Sequence, residues 1–402
     1  MTPEQIEEAR AIYKKYGRNK NSYAGAYSNI VKLEKYIETD SPSPEKLLLK
    51  SYIEGIGTVD NESDKGLASA LGLGRSGVKE KVKTSLREVV GKIRKNHWAT
   101  ETVISKLTIN LFGFSRGAAA ARHFIHAAKL TNTEGGGTVA EQLEALGYQV
   151  CEVNVGFVGL FDTVASHGIF FDDDTAALNL NAITHAADVV HLTSADEHRK
   201  NFSLTNIRSA GGKGQEIFLP GVHSDIGGSY RDGPGEKQLI FWKKNIFSAG
   251  KQAEAEKTRL VAANWYKAEE LTPIRIALDT VVLEAKRDTI SNRYSQIPLH
   301  IMAQLAKESD CKESSIVFKD KLERSEEIHS DLERANKEIQ AYVNQHKGAR
   351  SSRPEDWHDN QWDWLRELRY SHFHFSAKFS VIISPHAPRY IDGKRQRMTH
   401  PG

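Results

Sequence analysis

Residues 107–121 constrain this chain more than any other stretch. Leu107-Thr-Ile-Asn-Leu-Phe112 is apolar and rich in β-branched residues, the composition of a buried strand. Gly113-Phe-Ser-Arg-Gly117 follows at once, and the alanine run 118–121 after it favours helix. Strand, tight turn and helix in that order turn a G-x-S-x-G sequence into a nucleophile elbow with Ser115 at its tip. Such a turn needs small neighbours, which Gly113 and Gly117 provide, and the alanines let the helix sit close to the sheet. The helix N-terminus also directs partial positive charge at any oxyanion formed beside the serine. The competing reading is a strand–turn–helix with an incidental serine.

The rest of the chain supplies more strands. Residues 153–161 are a second near-continuous apolar run, closed by Asp162; residues 189–192 are a weaker third, and residues 217–219 a fourth. Helical stretches lie between them, which predicts a mostly parallel α/β sheet of α/β-hydrolase type. Residues 47–53 read as a short buried strand or helix. Val78, Val82, Leu86, Val90 and Ile93 recur every three or four positions, an amphipathic helix. Its other face is basic, with Lys79, Lys81, Lys83, Arg87, Lys92, Arg94 and Lys95. That face is either solvated or turned toward anionic lipid headgroups. Beyond about residue 235 the segments 250–270 and 303–347 are charged and helix-prone, with Glu and Lys interspersed over 319–347 as in a long surface helix or hairpin. Trp357, Trp362 and Trp364 then offer either packing or lipid contact, and a basic tail carries Arg389, Lys394, Arg395 and Arg397. The organisation expected is a hydrolase-like core over 1–235 and a helix-rich region over 236–402 that covers or completes it.

Composition narrows the classes. A chain of 402 residues suits one large α/β domain with insertions, or two domains. With 39% hydrophobic and 27% charged residues it is globular rather than disordered. Lys and Arg total 55 against 52 Asp and Glu, so charge gives no case for nucleic-acid binding. No apolar run approaches the roughly 18 residues of a membrane span. Residues 1–10 are acidic and helix-prone with no apolar signal core, so Sec export is not expected. Cys151 and Cys311 cannot build a disulfide framework or a cysteine zinc site. No cofactor or metal site is expected; Asp172-Asp-Asp174 reads as a solvated acidic loop rather than a calcium site.

A serine hydroxyl needs a base. Among 16 histidines, His223 stands out because it follows a predicted strand, within Pro220-Gly-Val-His-Ser-Asp-Ile-Gly-Gly228, whose glycines predict a tight, exposed loop. His123 and His126 belong to the helix after the elbow; His185, His191 and His198 are less well placed. The histidine in turn needs an acid. Asp162 and Asp196 both follow strands and both give the chain order Ser, Asp, His; strand strength favours Asp162, and Asp196 stays open as the alternative. Asp225 is too close to His223 in sequence and reads as a loop cap.

Four stretches occur in one order: Tyr52-Ile-Glu-Gly-Ile-Gly-Thr58, Gly113-Phe-Ser-Arg-Gly-Ala118, Gly159-Leu-Phe-Asp-Thr-Val164 and Pro220-Gly-Val-His-Ser-Asp-Ile-Gly-Gly228. With Tyr27-Ser-Asn-Ile-Val-Lys-Leu33 before them and a looser echo in Leu368-Arg-Tyr-Ser-His-Phe-His-Phe375, the chain resembles the Tle1-type lipase effectors of bacterial type VI secretion systems, which carry the domain of unknown function DUF2235. The resemblance covers about residues 20–235. It implies a phospholipase, mainly of A1 type, made in the bacterial cytoplasm and delivered to a rival's periplasm to cleave membrane glycerophospholipids. It implies a VgrG-type spike as carrier and a cognate immunity lipoprotein, and it puts the family's triad on Ser115, Asp162 and His223. The backbone N–H of Arg116 would be the first oxyanion donor. The family's opening F-F-D-G-T motif has no counterpart here, so the second donor is not named. Two other classes remain: a soluble carboxylesterase or thioesterase, and a degenerate hydrolase fold serving as a binding or delivery module.

Overall fold

The computed structural model describes residues 27–40, 43, 45–53, 77–95, 101–130, 136–165, 175–309, 316–348, 352–357, 362–379, 387–391 and 394–402. Strands β1 (Leu107–Phe114), β2 (Val153–Phe161), β3 (Ala186–Ser194) and β4 (Gly214–Leu219) form a four-stranded sheet in the order β1-β2-β3-β4, with every pair parallel. Helices α1 (Asn29–Tyr36), α2 (Val78–Lys95) and α3 (Arg116–Lys129) belong to the same half of the chain. Helix α3 makes the crossover that parallel pairing of β1 and β2 requires.

Burial follows position in the sheet. Strands β2 and β3 each have a neighbour on both edges and are buried along most of their length. Strand β1, expected to be buried, is half-buried; among the described strands it lies at the end of the sheet. The third strand is nine residues long rather than the short apolar run expected. Its polar side chains are satisfied inside: Thr193 Oγ1 donates to Ile217 O and Ser194 Oγ to Gly221 O, at 3.3 and 2.7 Å. Helix α2 has the predicted stripe, and Val82, Leu86, Val90 and Ile93 pack with Phe124, Ala127 and Leu143. Residues 47–53 are irregular, and Leu49 and Tyr52 are exposed, so the buried strand or helix read there does not form.

Beyond residue 235 the expectation of a helix-rich region missed a sheet. Strands β5 (Glu236–Lys244), β6 (Leu271–Ala277) and β7 (Thr280–Arg287) make an antiparallel sheet ordered β5-β7-β6. Their charged termini mask the strand pattern, while Val281, Val282, Leu283 and Ala285 at the centre of β7 are buried. Helices α4 (His223–Gly227), α5 (Ala249–Ala262), α6 (Gln296–Glu308), α7 (Glu333–Gln345) and α8 (Asp363–Ser371) complete the labelled elements. The segment 319–347, expected as a long surface helix or a hairpin, is a short helix, Lys321–Ser325, followed by α7.

One apolar core spans both parts of the chain, uniting Leu33, Phe161, Leu219, Ile240, Leu283, Ile301, Trp357 and Phe373. Trp357 is fully buried and donates its indole N–H to Phe218 O at 2.8 Å, with Trp362 and Trp364 packed at ring distances of 5.4 and 6.1 Å. These tryptophans therefore pack the interior, and the lipid-contact reading falls away for Trp357 and Trp364. Among the described residues no helix is long and apolar enough to cross a membrane.

The two elbow glycines differ. A Cβ on Gly113 would lie 2.5 Å from both Ala118 Cα and Gly117 O, whereas one on Gly117 would meet nothing within 4 Å. Only Gly113 is there for space; it lets α3 start against the end of β1. Gly113→Ala is expected to destabilise the protein by about 1–3 kcal/mol, the usual scale of overpacking. Gly117→Ala, in a helix with open space around it, is expected to be neutral or stabilising by up to about 1 kcal/mol. Thermal unfolding of the two variants checks this, and equal effects would contradict it.

Candidate active site

The site is built at the carboxyl ends of the parallel strands, where open α/β sheets present their ligands. Ser115 caps α3 with φ 58° and ψ −128°, a conformation costly for a residue with a side chain. Hydrogen bonds hold it: Ser115 N–H donates to Phe161 O at 3.0 Å, and Ser115 O accepts from Ala118 N at 3.0 Å and Ala119 N at 3.3 Å. Asp162 ends β2 with φ 43° and donates its own N–H to Leu192 O at 2.8 Å. His223 opens α4 just after β4.

These three side chains meet. His223 Nε2 lies 2.8 Å from Ser115 Oγ and Nδ1 lies 2.5 Å from Asp162 Oδ2. A neutral ring that donates from Nδ1 to the carboxylate leaves Nε2 to accept the serine proton, the polarity a general base requires. The ring sits between Phe114, at a centroid distance of 4.6 Å, and the edge-on Phe202 at 5.1 Å. Phe114 can lie there because residue 227 is glycine; a Cβ would fall 2.1 Å from the phenyl ring. Burial pushes the His223 pKa below its ordinary value, and Asp162 opposes that shift without overcoming it.

Asp162 is fully buried. Burial alone would raise its pKa, but the charge of Arg397 and the hydrogen bond from His223 hold the carboxyl far below the usual carboxylate range. Arg397 makes a two-point contact, Nη1 to Oδ1 at 2.6 Å and Nη2 to Oδ2 at 2.9 Å, and Ser194 N–H donates to Oδ1 at 2.9 Å. Sequence reading placed Arg397 only in a basic tail. No motif marks it, and it stands 235 positions from its partner. A second buried pair, Glu197 with Arg199 at 2.8 Å, lies alongside, and the Arg199 guanidinium covers the Phe202 ring at 3.3 Å.

The other acids have different work. Asp196 is buried and accepts from Gly221 N–H at 2.8 Å, so it pins the turn leading to His223; the acid that meets the imidazole is Asp162. Asp225 accepts from Val222 N–H at 3.0 Å, the capping role expected, and also pairs with His374 Nδ1 at 2.9 Å, with Tyr230 stacked on His374 at 3.7 Å. Burial raises the Asp225 pKa against the pull of His374. Residues 220–228, expected as an exposed loop, are largely buried: Gly221 and Gly228 take φ 103° and 77°, and Asn29 Nδ2 donates to Ile226 O and Ser295 O at 2.9 Å each.

Among the remaining histidines, His191 is buried on β3, pairs with Glu216 at 2.9 Å and accepts Thr163 N–H at 3.0 Å, which braces the turn beside Asp162. His123 contacts Leu178 O at 2.8 Å and stacks with His126. His185 closes the helical turn Leu180–His185, and His198 O accepts from Arg389 N–H at 2.8 Å. Arg116 is the first residue of α3, so its backbone N–H belongs to the helix's positive end. Among the described residues no group of three or more His, Cys, Asp or Glu is placed to hold a metal ion. Asp172–Asp174, Cys311 and the Glu54–Thr58 part of the first motif lie outside the described residues.

Parallel sheet, strained serine elbow and the Ser115–His223–Asp162 chain of hydrogen bonds have the architecture of the α/β-hydrolase class. The Tle1-type resemblance is met by comparison: a family model described as "T6SS, Phospholipase effector Tle1-like, catalytic domain" matches residues 126–243, a span that holds Asp162 and His223. A solved structure of the Tle1 effector bound to the VgrG spike from the type VI secretion system shares the fold. Its TM-score is 0.69 at 21% identity, over 99% of this chain and 86% of that one. An uncharacterized protein from Pseudomonas aeruginosa aligns at TM-score 0.41 and 18% identity, over 88% of this chain and 54% of that one. No curated protein matches the sequence.

Two outcomes are expected from the rate at which a fluorophosphonate labels Ser115. Asp162→Asn should slow labelling by about 10⁴-fold, the scale of a lost triad acid, while Asp196→Asn stays within about tenfold of wild type. Second, with neutral His223 as the expected base, the labelling rate should be flat at neutral pH and fall in acid with a midpoint below the ordinary imidazole value of about 6.5. A midpoint at or above that value would contradict the effect ascribed to burial.

Proposed function

We propose that this chain is a type VI secretion effector that hydrolyses acyl esters of membrane glycerophospholipids as a serine hydrolase of phospholipase A1 type. The observation that carries the reading is the unbroken line from Ser115 Oγ through His223 to Asp162, held on a strained turn at the sheet edge. The match to the Tle1-like catalytic domain supports the substrate class and the delivery route.

In the proposed reaction Ser115 Oγ attacks the acyl carbonyl carbon while its proton passes to His223 Nε2. Negative charge collects on the former carbonyl oxygen, near the positive end of α3, where Arg116 N–H is the proposed first donor. Collapse breaks the bond to the glycerol oxygen, which leaves with the proton from His223, giving lysophospholipid and an acyl-enzyme. Water then attacks the acyl carbon with His223 again taking a proton, and fatty acid and free Ser115 result. Asp162 fixes the tautomer and stabilises the imidazolium in both halves. In this reading residues 1–235 form the catalytic core and 236–402 complete it. A VgrG-type spike carries the protein, a cognate immunity lipoprotein protects the producer, and the site of action is the rival cell's periplasm.

Fatty-acid release from vesicles of mixed glycerophospholipids tests this. Wild type should release acid, and Ser115→Ala and His223→Ala should each lower the rate by at least about 10³-fold. Equal release by wild type and His223→Ala would remove His223 as base. Hydrolysis of short soluble esters alone would favour a carboxylesterase, and no fluorophosphonate labelling of wild type would favour a binding or delivery module.

A further inference from the structure

We infer that Arg397 is a positioning residue that holds Asp162 ionised and aligned, so that the basicity of His223 depends on the segment 394–402 being docked at the site. The inference rests on the proposed roles of Ser115, His223 and Asp162. Its first support is saturation of the carboxylate. An ionised carboxylate offers about four lone-pair directions. Asp162 receives four donors: Ser194 N–H, His223 Nδ1–H and both terminal nitrogens of Arg397. The planar fork of arginine fits both oxygens at once, which fixes the carboxylate plane as well as its charge.

The second support is that Arg397 cannot swing freely. Its Nε donates to Phe202 O at 2.7 Å, and Phe202 is the ring set edge-on to His223. The segment bearing it is laid along the stretch after β3: Thr399–His400 pairs in parallel with Leu204–Thr205. Leu204 N–H donates to Met398 O at 2.9 Å, Asn206 N–H to His400 O at 3.0 Å and Ser209 N–H to Gly402 O at 2.9 Å. Arg397 thus reaches the carboxylate only when this strand is in register.

The third support is charge balance. The charged groups acting on His223 are Asp162, Arg199 and Glu197, while Arg397 acts on Asp162 and Glu197; the Asp225–His374–Tyr230 cluster lies on the α4 side and His191–Glu216 behind the Asp162 turn. Arg199 is engaged by Glu197, so Arg397 is the cation that offsets Asp162. With that offset, the resting imidazole gains little by taking a proton and stays ready to accept one from Ser115. Without it, a buried pair of net charge −1 takes up a proton at higher pH, whichever of the two residues holds it.

The test uses the full chain with Arg397→Gln and Arg397→Lys, folded fraction being followed by circular dichroism. Two readouts are taken: the pH profile of fluorophosphonate labelling, and the pH titration of the His223 Nδ1 proton by NMR. Arg397→Gln should move both midpoints upward by about 1–3 pH units, the range for losing an adjacent opposite charge. It should also slow labelling at the plateau. Arg397→Lys keeps the charge without the fork; its midpoints should stay within about half a unit while its plateau falls. Midpoints unmoved in Arg397→Gln, with labelling reduced only in proportion to folded protein, would show a merely structural contact and overturn the inference. Should Arg397→Gln not fold, an unslowed and unshifted Arg397→Lys would overturn it. Absence of labelling in wild type would refute the hydrolase reading instead, and the NMR titration would still decide this one.

Discussion

The structure turns on one buried charge. An unpaired carboxylate in a protein interior is so unfavourable that it would take up a proton instead. Asp162 has no exposed surface and is held as the anion because donors converge on it from three other parts of the chain: the end of β3, the turn after β4 and the segment near residue 397. The same contacts fix where those parts lie relative to the end of β2. Removing one member of such a buried pair costs about 3–5 kcal/mol, because the partner is left uncompensated. Fold and site therefore share their central interaction.

Around that charge, packing sets the direction of the chemistry. Phe114 precedes Ser115 in sequence and lies against the His223 ring, and Gly227 leaves it the room. One strained turn thus aims the hydroxyl while its neighbouring side chain seats the imidazole. Two carboxylates close to His223 are driven opposite ways. Asp162, beside Arg397, is held far below the ordinary range, whereas Asp225 is raised by burial and tied to His374. The first faces the imidazole as a full charge, and the second closes the α4 turn and connects it to residues 372–376.

What was legible in the sequence was local. The run 153–161 needed no partner to be read as a strand, and Gly113 and the alanines revealed the elbow because steric demands act over four or five residues. Ser115, Asp162 and His223 could be singled out because each stands just past such a run. The polar side chains of β3 hid its length, since the carbonyls that satisfy them, Ile217 O and Gly221 O, belong to another strand and the turn that follows it. Residues 220–228 read as exposed because glycine signals a turn without telling what covers it; the cover comes from Asn29 and His374, nearly two hundred and about one hundred and fifty positions away. Asp196 competed with Asp162 for the same reason: both end strands, and only the spatial register of β2, β3 and β4 separates a carboxylate facing the imidazole from one facing Gly221 N–H.

Arg397 is the extreme case, and it bears on how the site comes into being. The elbow and the strand carrying Asp162 are close in sequence and can form early, because short loops close at little entropic cost. The cation that offsets Asp162 must travel farther, and it arrives together with the pairing of Thr399–His400 on Leu204–Thr205. Without that pairing Asp162 would keep the bonds from Ser194 and His223 but lose the cation that most opposes the effect of its burial. Ser115 by itself remains an ordinary hydroxyl on a strained turn. In the proposed mechanism the serine is therefore fully activated only when the contact between residues 162 and 397 is made.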